Sequence, residues 1–223
     1  MKLKILAIHG YRQSDTTFSG KLGSLRKSFK KEIDFTFIKA PHKVPPLESS
    51  EEKEEDNNGE EFGWWFNTEN KVFKATVPSN LSVGFDESLA LVEKTFEQSG
   101  PFDGIIGFSQ GASFVSILCA MQQRKISPIK FDFAILISGF KSLCEPHAIF
   151  YKDIKIELPT LHVYGEGDKI IPTLMAQELS EVFSNKKKFI HEGGHYVPGK
   201  KFIYNDFILE MLSKKSDSKE LRE

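Results

Sequence analysis

The chain has 223 residues, which fits one domain with a single core and is short for two. Lys and Arg number 30 against 31 Asp and Glu, so a net charge of −1 gives no excess that favours nucleic acid or a membrane surface as a partner. There are two cysteines, without metal-type spacing, and no apolar run is long enough for a secretory signal or a membrane span. We therefore expect a cytosolic or nuclear protein without stable membrane insertion.

The N-terminal segment predicts a strand followed by a helix. Residues 3–8 are almost all apolar, as in a strand buried on both faces. Ser14 is a suitable N-cap for a helix over about 15–31. A second strand is predicted over 33–39, where apolar and polar residues alternate, and the prolines that follow end it.

Two segments of opposite character come next. Residues 48–61 are rich in Glu and Asp, which predicts a solvated and mobile insertion without a catalytic role. The composition then changes to the aromatic block Trp64, Trp65 and Phe66. Because aromatic side chains fill both cores and ligand pockets, this block either plugs the core or lines a substrate groove.

The most informative stretch follows a helical pattern over 81–99. Residues 107–111 read Gly-Phe-Ser-Gln-Gly, preceded by the apolar pair Ile105-Ile106 and followed by an apolar helical pattern up to about residue 123. A strand, a sharp turn with Ser109 at its apex and a helix make up a nucleophile elbow. The plainer interpretation is a glycine-rich turn in which Ser109 caps the helix. The flanking strand and helix favour the catalytic interpretation.

The C-terminal half predicts further strands and helices in alternation. Strands are expected over 131–138, 159–165 and 187–191, and helices over about 173–184 and 200–213, while 145–157 remains irregular and the charged tail 214–223 is expected to fray. Alternating strands and helices predict an α/β fold: one domain over 1–213 with a mostly parallel sheet of about six strands and helices on both faces.

A nucleophilic serine needs a base, and the base needs a group that orients it. With this elbow the chain order is Ser, then Asp or Glu, then His. Asp168 follows the strand over 159–165, and we prefer it to Glu166 because it lies after the turn glycine; its alternative role is that of a turn former. His195 lies in a Gly-Gly-His loop after the last strand. The backbone N–H groups of Tyr11 and Gln110 are the candidate oxyanion donors.

The segment 191–195 also matches the H-E-x-x-H zinc pattern. That pattern requires a helix, on which positions i and i+4 share one face. Gly193 and Gly194 would each destabilise a helix by about 1 kcal/mol relative to Ala, and the preceding residues read as a strand. We therefore expect no metal site here.

Taken together, the motifs resemble the FSH-type family of small serine hydrolases, in particular its animal branch. The matching pieces are residues 9–14 (His-Gly-Tyr-Arg-Gln-Ser), 63–66 (Gly-Trp-Trp-Phe), 100–104, 107–112, 138–140, 165–172 and 193–198. The resemblance implies an α/β-hydrolase fold without the first strands of larger relatives, and a catalytic set of Ser109, Asp168 and His195. It also implies hydrolysis of small-molecule carboxylic esters, with a preference for longer straight acyl chains, without a metal or other cofactor.

The expected function is therefore that of a serine carboxylesterase, with Trp64, Trp65 and Phe66 as candidate substrate-binding residues. A thioesterase or lipid hydrolase would use the same machinery, because only the leaving group differs. A non-catalytic binding module on the same fold is the alternative from another class, since a fold does not guarantee a function.

Overall fold

The computed structural model describes residues 1–46 and 60–220, with the side chains of residues 219 and 220 excepted. Most of the predicted acidic insertion therefore lies outside the described residues. The strands are β1 (Leu3–Ile8), β2 (Ile33–Ile38), β3 (His42–Lys43), β4 (Phe62–Gly63), β5 (Gly104–Phe108), β6 (Phe133–Ile137), β7 (Thr160–Gly165) and β8 (Lys186–His191). Six of them form one parallel sheet in the order β2-β1-β5-β6-β7-β8, while β3 and β4 form a separate antiparallel pair.

Helices connect the strands of the large sheet. They are α1 (Asp15–Lys21), α2 (Gly23–Ser28), α3 (Phe85–Ser99), α4 (Gln110–Gln123), α5 (Ala148–Tyr151), α6 (Thr173–Ser180) and α7 (Phe202–Glu220), with a 3₁₀ turn over Glu145–His147. In the described part of the chain, none of the helices combines the length and apolar character needed to cross a membrane.

The sheet separates two hydrophobic cores. Leu6 and Ile105 point to a core that includes Phe114 of α4, whereas Ile5 and Ile106 point to a core that includes Phe207 of α7. Successive residues of a strand face opposite sides, so strands that are apolar throughout must be covered on both faces. The predicted α/β architecture, with about six mostly parallel strands and helices on both sides, is confirmed.

Helix α3 begins at Phe85 and α6 ends at Ser180, each about four residues inside its predicted bounds, and two other helices differ more. The helix expected over 15–31 is two short helices that meet at Leu22, whose backbone (φ −82°, ψ 4°) leaves the helical path while its side chain stays fully buried. Gly20 and Gly23 flank this break, and glycine is a poor helix former.

The C-terminal helix α7 does not end near residue 213 but continues to Glu220, so the tail expected to fray from residue 214 is largely helical. Lys215 holds this extension against the start of the sheet. Its Nζ donates to Lys2 O at 2.8 Å and to Asp103 Oδ2 at 2.7 Å. Asp103 Oδ2 also accepts the backbone N–H of Lys4 at 2.6 Å, so it ties β1 to α7.

Candidate active site

Ser109 stands at the apex of the turn between β5 and α4. Its backbone has φ 53° and ψ −119°, a conformation that residues other than glycine rarely adopt. The turn is held to the sheet, because Ser109 N–H donates to Ile137 O at 2.9 Å. The predicted strand, turn and helix are therefore present, with a buried serine that is 9% exposed.

The two glycines of the elbow lie where no side chain fits. A Cβ at Gly107 would lie 2.6 Å from Gly111 O and 2.7 Å from Ala112 Cα. A Cβ at Gly111 would overlap the carbonyl oxygens of Ile8 and His9 at the end of β1. The sharp turn therefore depends on glycine at both positions, as the sequence pattern predicts.

The structure brings Ser109, His195 and Asp168 together in one hydrogen-bonded chain. His195 Nε2 lies 3.0 Å from Ser109 Oγ, and His195 Nδ1 lies 2.7 Å from Asp168 Oδ2. The three residues come from the ends of β5 and β7 and from the loop after β8. All three strand ends lie at the same edge of the parallel sheet, which is where such folds gather their chemistry.

Asp168 is held as a carboxylate. Burial by itself would raise its pKa, but the hydrogen bond from His195 and the backbone N–H groups of Ile171 and Ile170 outweigh burial, so the pKa lies below its ordinary value. Asp168 Oδ1 accepts these two amides at 2.8 and 2.9 Å. Because a carboxylate only accepts, Nδ1 of His195 must carry the proton, and the lone pair of Nε2 faces the Ser109 hydroxyl.

Backbone hydrogen bonds join the loops that carry Asp168 and His195. Gly167 N–H donates to Gly193 O at 3.1 Å, and Glu166 N–H donates to His191 O at 2.8 Å. The side chain of Glu166, the alternative acid, lies exposed to solvent and is not the partner of His195.

The zinc pattern over 191–195 is not helical. His191 is the last residue of β8, and its ring contacts that of Tyr196 at 4.9 Å between centroids. Among the residues that the structure describes, no three His, Cys, Asp or Glu side chains are grouped so that they could hold a metal ion.

The two candidate oxyanion donors follow the carboxyl ends of the neighbouring strands β1 and β5. Gln110 is the first residue of α4, so its N–H has no acceptor within the helix. Tyr11 follows β1, in a loop that His9 fixes: His9 Nδ1–H donates to Gly10 O at 2.7 Å, and Nε2 accepts Ala40 N–H at 3.0 Å. Burial lowers the pKa of His9 to about 4, partly offset by Gly10 and Asp15, so its ring is neutral at pH 7.

The aromatic block packs in the core. Trp64 and Trp65 are fully buried and Phe66 is 1% exposed, so none of them presents its ring to an open groove. Trp64 contacts the rings of His9 and Phe114, at 5.0 and 5.4 Å between centroids. The block thus packs between α4 and the loop after β1, and of the two interpretations left open by the sequence its burial matches the core one.

Sequence reasoning missed the side chain of Gln110. The sequence indicates a role only for its backbone N–H, yet its side-chain amide is hydrogen-bonded to the backbone of Trp64 and Trp65. No local pattern links these residues, because 46 and 45 positions separate them along the chain.

The class of protein follows from the sheet and the site. A six-stranded parallel sheet carries a serine elbow, and a histidine paired with an aspartate lies within hydrogen-bonding distance of that serine. These features define the α/β-hydrolase class of serine hydrolases. The model of the family described as "Serine hydrolase (FSH1)" matches residues 1–207, and the chain belongs to this family.

Its relatives include proteins named as esterases. Esterase AGAP003155 of Anopheles gambiae is 42% identical over 99% of this chain and 82% of its own length. Esterase OVCA2 of Danio rerio is 40% identical (92% and 96%), and human esterase OVCA2 is 34% identical (88% and 89%). Among solved structures, acyl-protein thioesterase 2 of Zea mays superposes with a TM-score of 0.62 at 19% identity, over 95% of this chain and 94% of its own. The structural likeness shows the fold, and the relatives confirm the resemblance seen in the sequence.

Proposed function

We propose that this serine hydrolase is a carboxylesterase that works through an acyl-enzyme on Ser109. The observation that carries the proposal is the continuous chain from Ser109 Oγ through His195 to Asp168, with contacts of 3.0 and 2.7 Å. These distances are within the hydrogen-bonding range that proton transfer requires. The esterase names of relatives that are 34–42% identical support the same reaction class.

In the proposed mechanism Ser109 Oγ attacks the ester carbonyl while His195 Nε2 takes its proton. The carbonyl electron pair moves to oxygen, and the N–H groups of Gln110 and Tyr11 stabilise the resulting oxyanion. When the tetrahedral intermediate collapses, His195 returns the proton to the leaving alcohol. Water, activated by His195, then releases the acid. Asp168 keeps Nδ1 protonated and stabilises the imidazolium.

Exposed apolar side chains lie close in sequence to Asp168 and His195, which favours an acyl chain as the part of the substrate that binds there. Ile170 and Leu174, just after Asp168, are 59% and 64% exposed, and Tyr196, next to His195, is 47% exposed. Apolar side chains in such a position would contact the longer straight acyl chains that the family resemblance implies. Because Trp64, Trp65 and Phe66 are buried, we do not assign them direct contact with the acyl chain.

The test is Ser109→Ala assayed on aryl esters whose acyl chains differ in length. We expect turnover to fall by about 10³-fold or more, because the nucleophile is lost while the oxyanion donors remain. Ser113→Ala is the matched control, since Ser113 is buried one helical turn further along α4. Turnover of Ser109→Ala equal to that of the control would contradict the proposal.

Thioester hydrolysis is a second candidate. The same serine, base and oxyanion donors would cleave a thioester, and the Zea mays protein that shares this fold is named an acyl-protein thioesterase. Competing oxoester and thioester substrates with one common acyl chain measure the preference directly. A non-catalytic binding module would leave Ser109 unlabelled by a fluorophosphonate probe, so stoichiometric labelling at Ser109 would exclude it.

The cytosol or the nucleus is the compartment that we propose for this activity. Both Cys119 and Cys144 are buried free thiols, which suits a reducing environment.

A further inference from the structure

The side chain of Gln110 bonds two successive residues of a distant segment. Gln110 Oε1 accepts the backbone N–H of Trp64 at 3.0 Å, and Gln110 Nε2 donates to Trp65 O at 2.8 Å. Both bonds are buried, and Gln110 itself is fully inaccessible to solvent. We call the segment from Phe62 to Trp65 the bracket.

The bracket is bonded equally well to the loop after β1. Trp64 Nε1 donates to His9 O at 2.7 Å, and Phe62 N–H donates to Gln13 O at 2.9 Å. Gln13 in turn accepts Gly10 N–H through its side-chain oxygen at 3.1 Å. Close packing adds to these bonds, because a Cβ at Gly63 would lie 2.9 Å from the Tyr11 ring.

The bracket therefore connects the two backbone segments that carry the candidate oxyanion donors. On one side it is bonded to Gln110, whose N–H begins α4, and on the other to residues 9–13, which include Tyr11. An oxyanion hole works only when its donors lie 2.7–3.1 Å from the developing charge, so their separation must be fixed before the reaction. The hydrogen bonds around the bracket are largely buried, and such a network stiffens the segments that it joins.

We propose that the side chain of Gln110 is a positioning residue: through the bracket it sets the distance between the N–H groups of Gln110 and Tyr11. The inference rests on the proposed esterase function and adds a role for a side chain that takes no part in proton transfer. The backbone of the aromatic block thereby has a role in catalysis, because it joins the two segments that carry the candidate oxyanion donors.

The test compares Gln110→Met with Gln122→Met. Gln122 is a close match, because it lies on the same helix and also bonds the backbone in two places: Nε2 donates to Phe131 O at 2.9 Å, and Oε1 accepts Phe131 N–H at 3.0 Å. We expect Gln110→Met to lower kcat by about 10- to 100-fold and to change KM by less than about 2-fold. This decrease in kcat is no larger than the decrease caused by removing one oxyanion donor. Gln122→Met should keep kcat within about 2-fold, although both variants lose two hydrogen bonds.

A second readout isolates the oxyanion. Ser109 Oγ adds to the carbonyl carbon of an alkyl trifluoromethyl ketone, His195 takes the proton, and the carbonyl pair becomes an oxyanion at the two amides. We expect the inhibition constant of this ketone to rise in Gln110→Met by the same factor by which kcat/KM falls, and to stay constant in Gln122→Met.

Unchanged kcat and unchanged ketone affinity in folded Gln110→Met would overturn the inference. If this variant is insoluble, Ser88→Ala loosens the bracket from α3, because Ser88 Oγ donates to Trp64 O. It should lower kcat several-fold at constant KM, and an unchanged kcat would overturn the inference equally. Failure of the proposed function is distinguishable, since only that failure would leave Ser109→Ala active.

Discussion

Replacing Ser109 by glycine should stabilise the protein relative to replacing it by alanine. Its backbone (φ 53°, ψ −119°) is strained for any residue with a Cβ, at a cost of about 2 kcal/mol. Glycine relieves this strain but adds freedom to the unfolded chain, which costs about 1 kcal/mol. The free energy of unfolding of Ser109→Gly should therefore exceed that of Ser109→Ala by about 1 kcal/mol, or about 2–4 °C in Tm. Both variants lose the bond to His195, so that loss cancels.

Urea unfolding of the two variants measures the difference, and Ser113 provides the control. Ser113 is fully buried and helical, so there glycine should be less stable than alanine by about 1 kcal/mol. The sign of the Gly–Ala difference should thus reverse between positions 109 and 113. If Ser109→Gly is no more stable than Ser109→Ala, the elbow stores no strain and the reasoning is refuted.

Three further outcomes are expected. Asp168→Asn should lower kcat on the order of 10³- to 10⁴-fold, because an amide no longer selects the Nδ1–H tautomer of His195; a loss below 10-fold in steady-state assays would contradict this. Since the folded pKa of Asp168 lies below its ordinary value, its contribution to stability is complete above about pH 4 and is lost as the pH falls through the lower folded pKa. The difference in urea midpoint between wild type and Asp168→Asn should therefore be constant from pH 7 to 5 and shrink in acid. A difference that grows in acid would contradict a lowered pKa of Asp168 in the folded state. In thermal unfolding, Gly111→Ala should destabilise the protein by about 2 kcal/mol or more, because the new Cβ would overlap Ile8 O. Gly20→Ala is the control: it has open space around it in α1 and should be neutral or stabilising by up to about 1 kcal/mol. Equal effects of the two substitutions would show that the elbow tolerates a side chain.

Local signals were sufficient for much of the fold. The strand before Ser109 and the helix after it were predicted because a buried apolar run, two glycines and a helical apolar pattern lie within 20 residues. Ser14 caps α1 as expected, and its Oγ accepts Thr17 N–H at 3.2 Å. The order Ser, Asp, His placed three side chains at strand ends that a parallel sheet brings to one edge.

Features that depend on distant partners were not predictable in this way. The charged residues after 213 resemble a solvated tail until Lys215 is seen to meet Asp103, 112 positions away. Strands β3 and β4 have two residues each, too few to show a periodicity. The aromatic block left two interpretations open, because burial and substrate contact favour the same residue types. Its place in the core follows from partners far along the chain, such as Phe114 and Gln110.

The salt link between Lys215 and Asp103 lies at the opposite end of the strands from the elbow, since Lys2 and Asp103 precede β1 and β5. The first strand and the last helix are thus fastened at one pole of the molecule, and bond making and breaking is proposed for the other. Loops at the reactive pole can accumulate substitutions without loosening that fastening. Such a division separates the proposed site from the contact that fastens the scaffold.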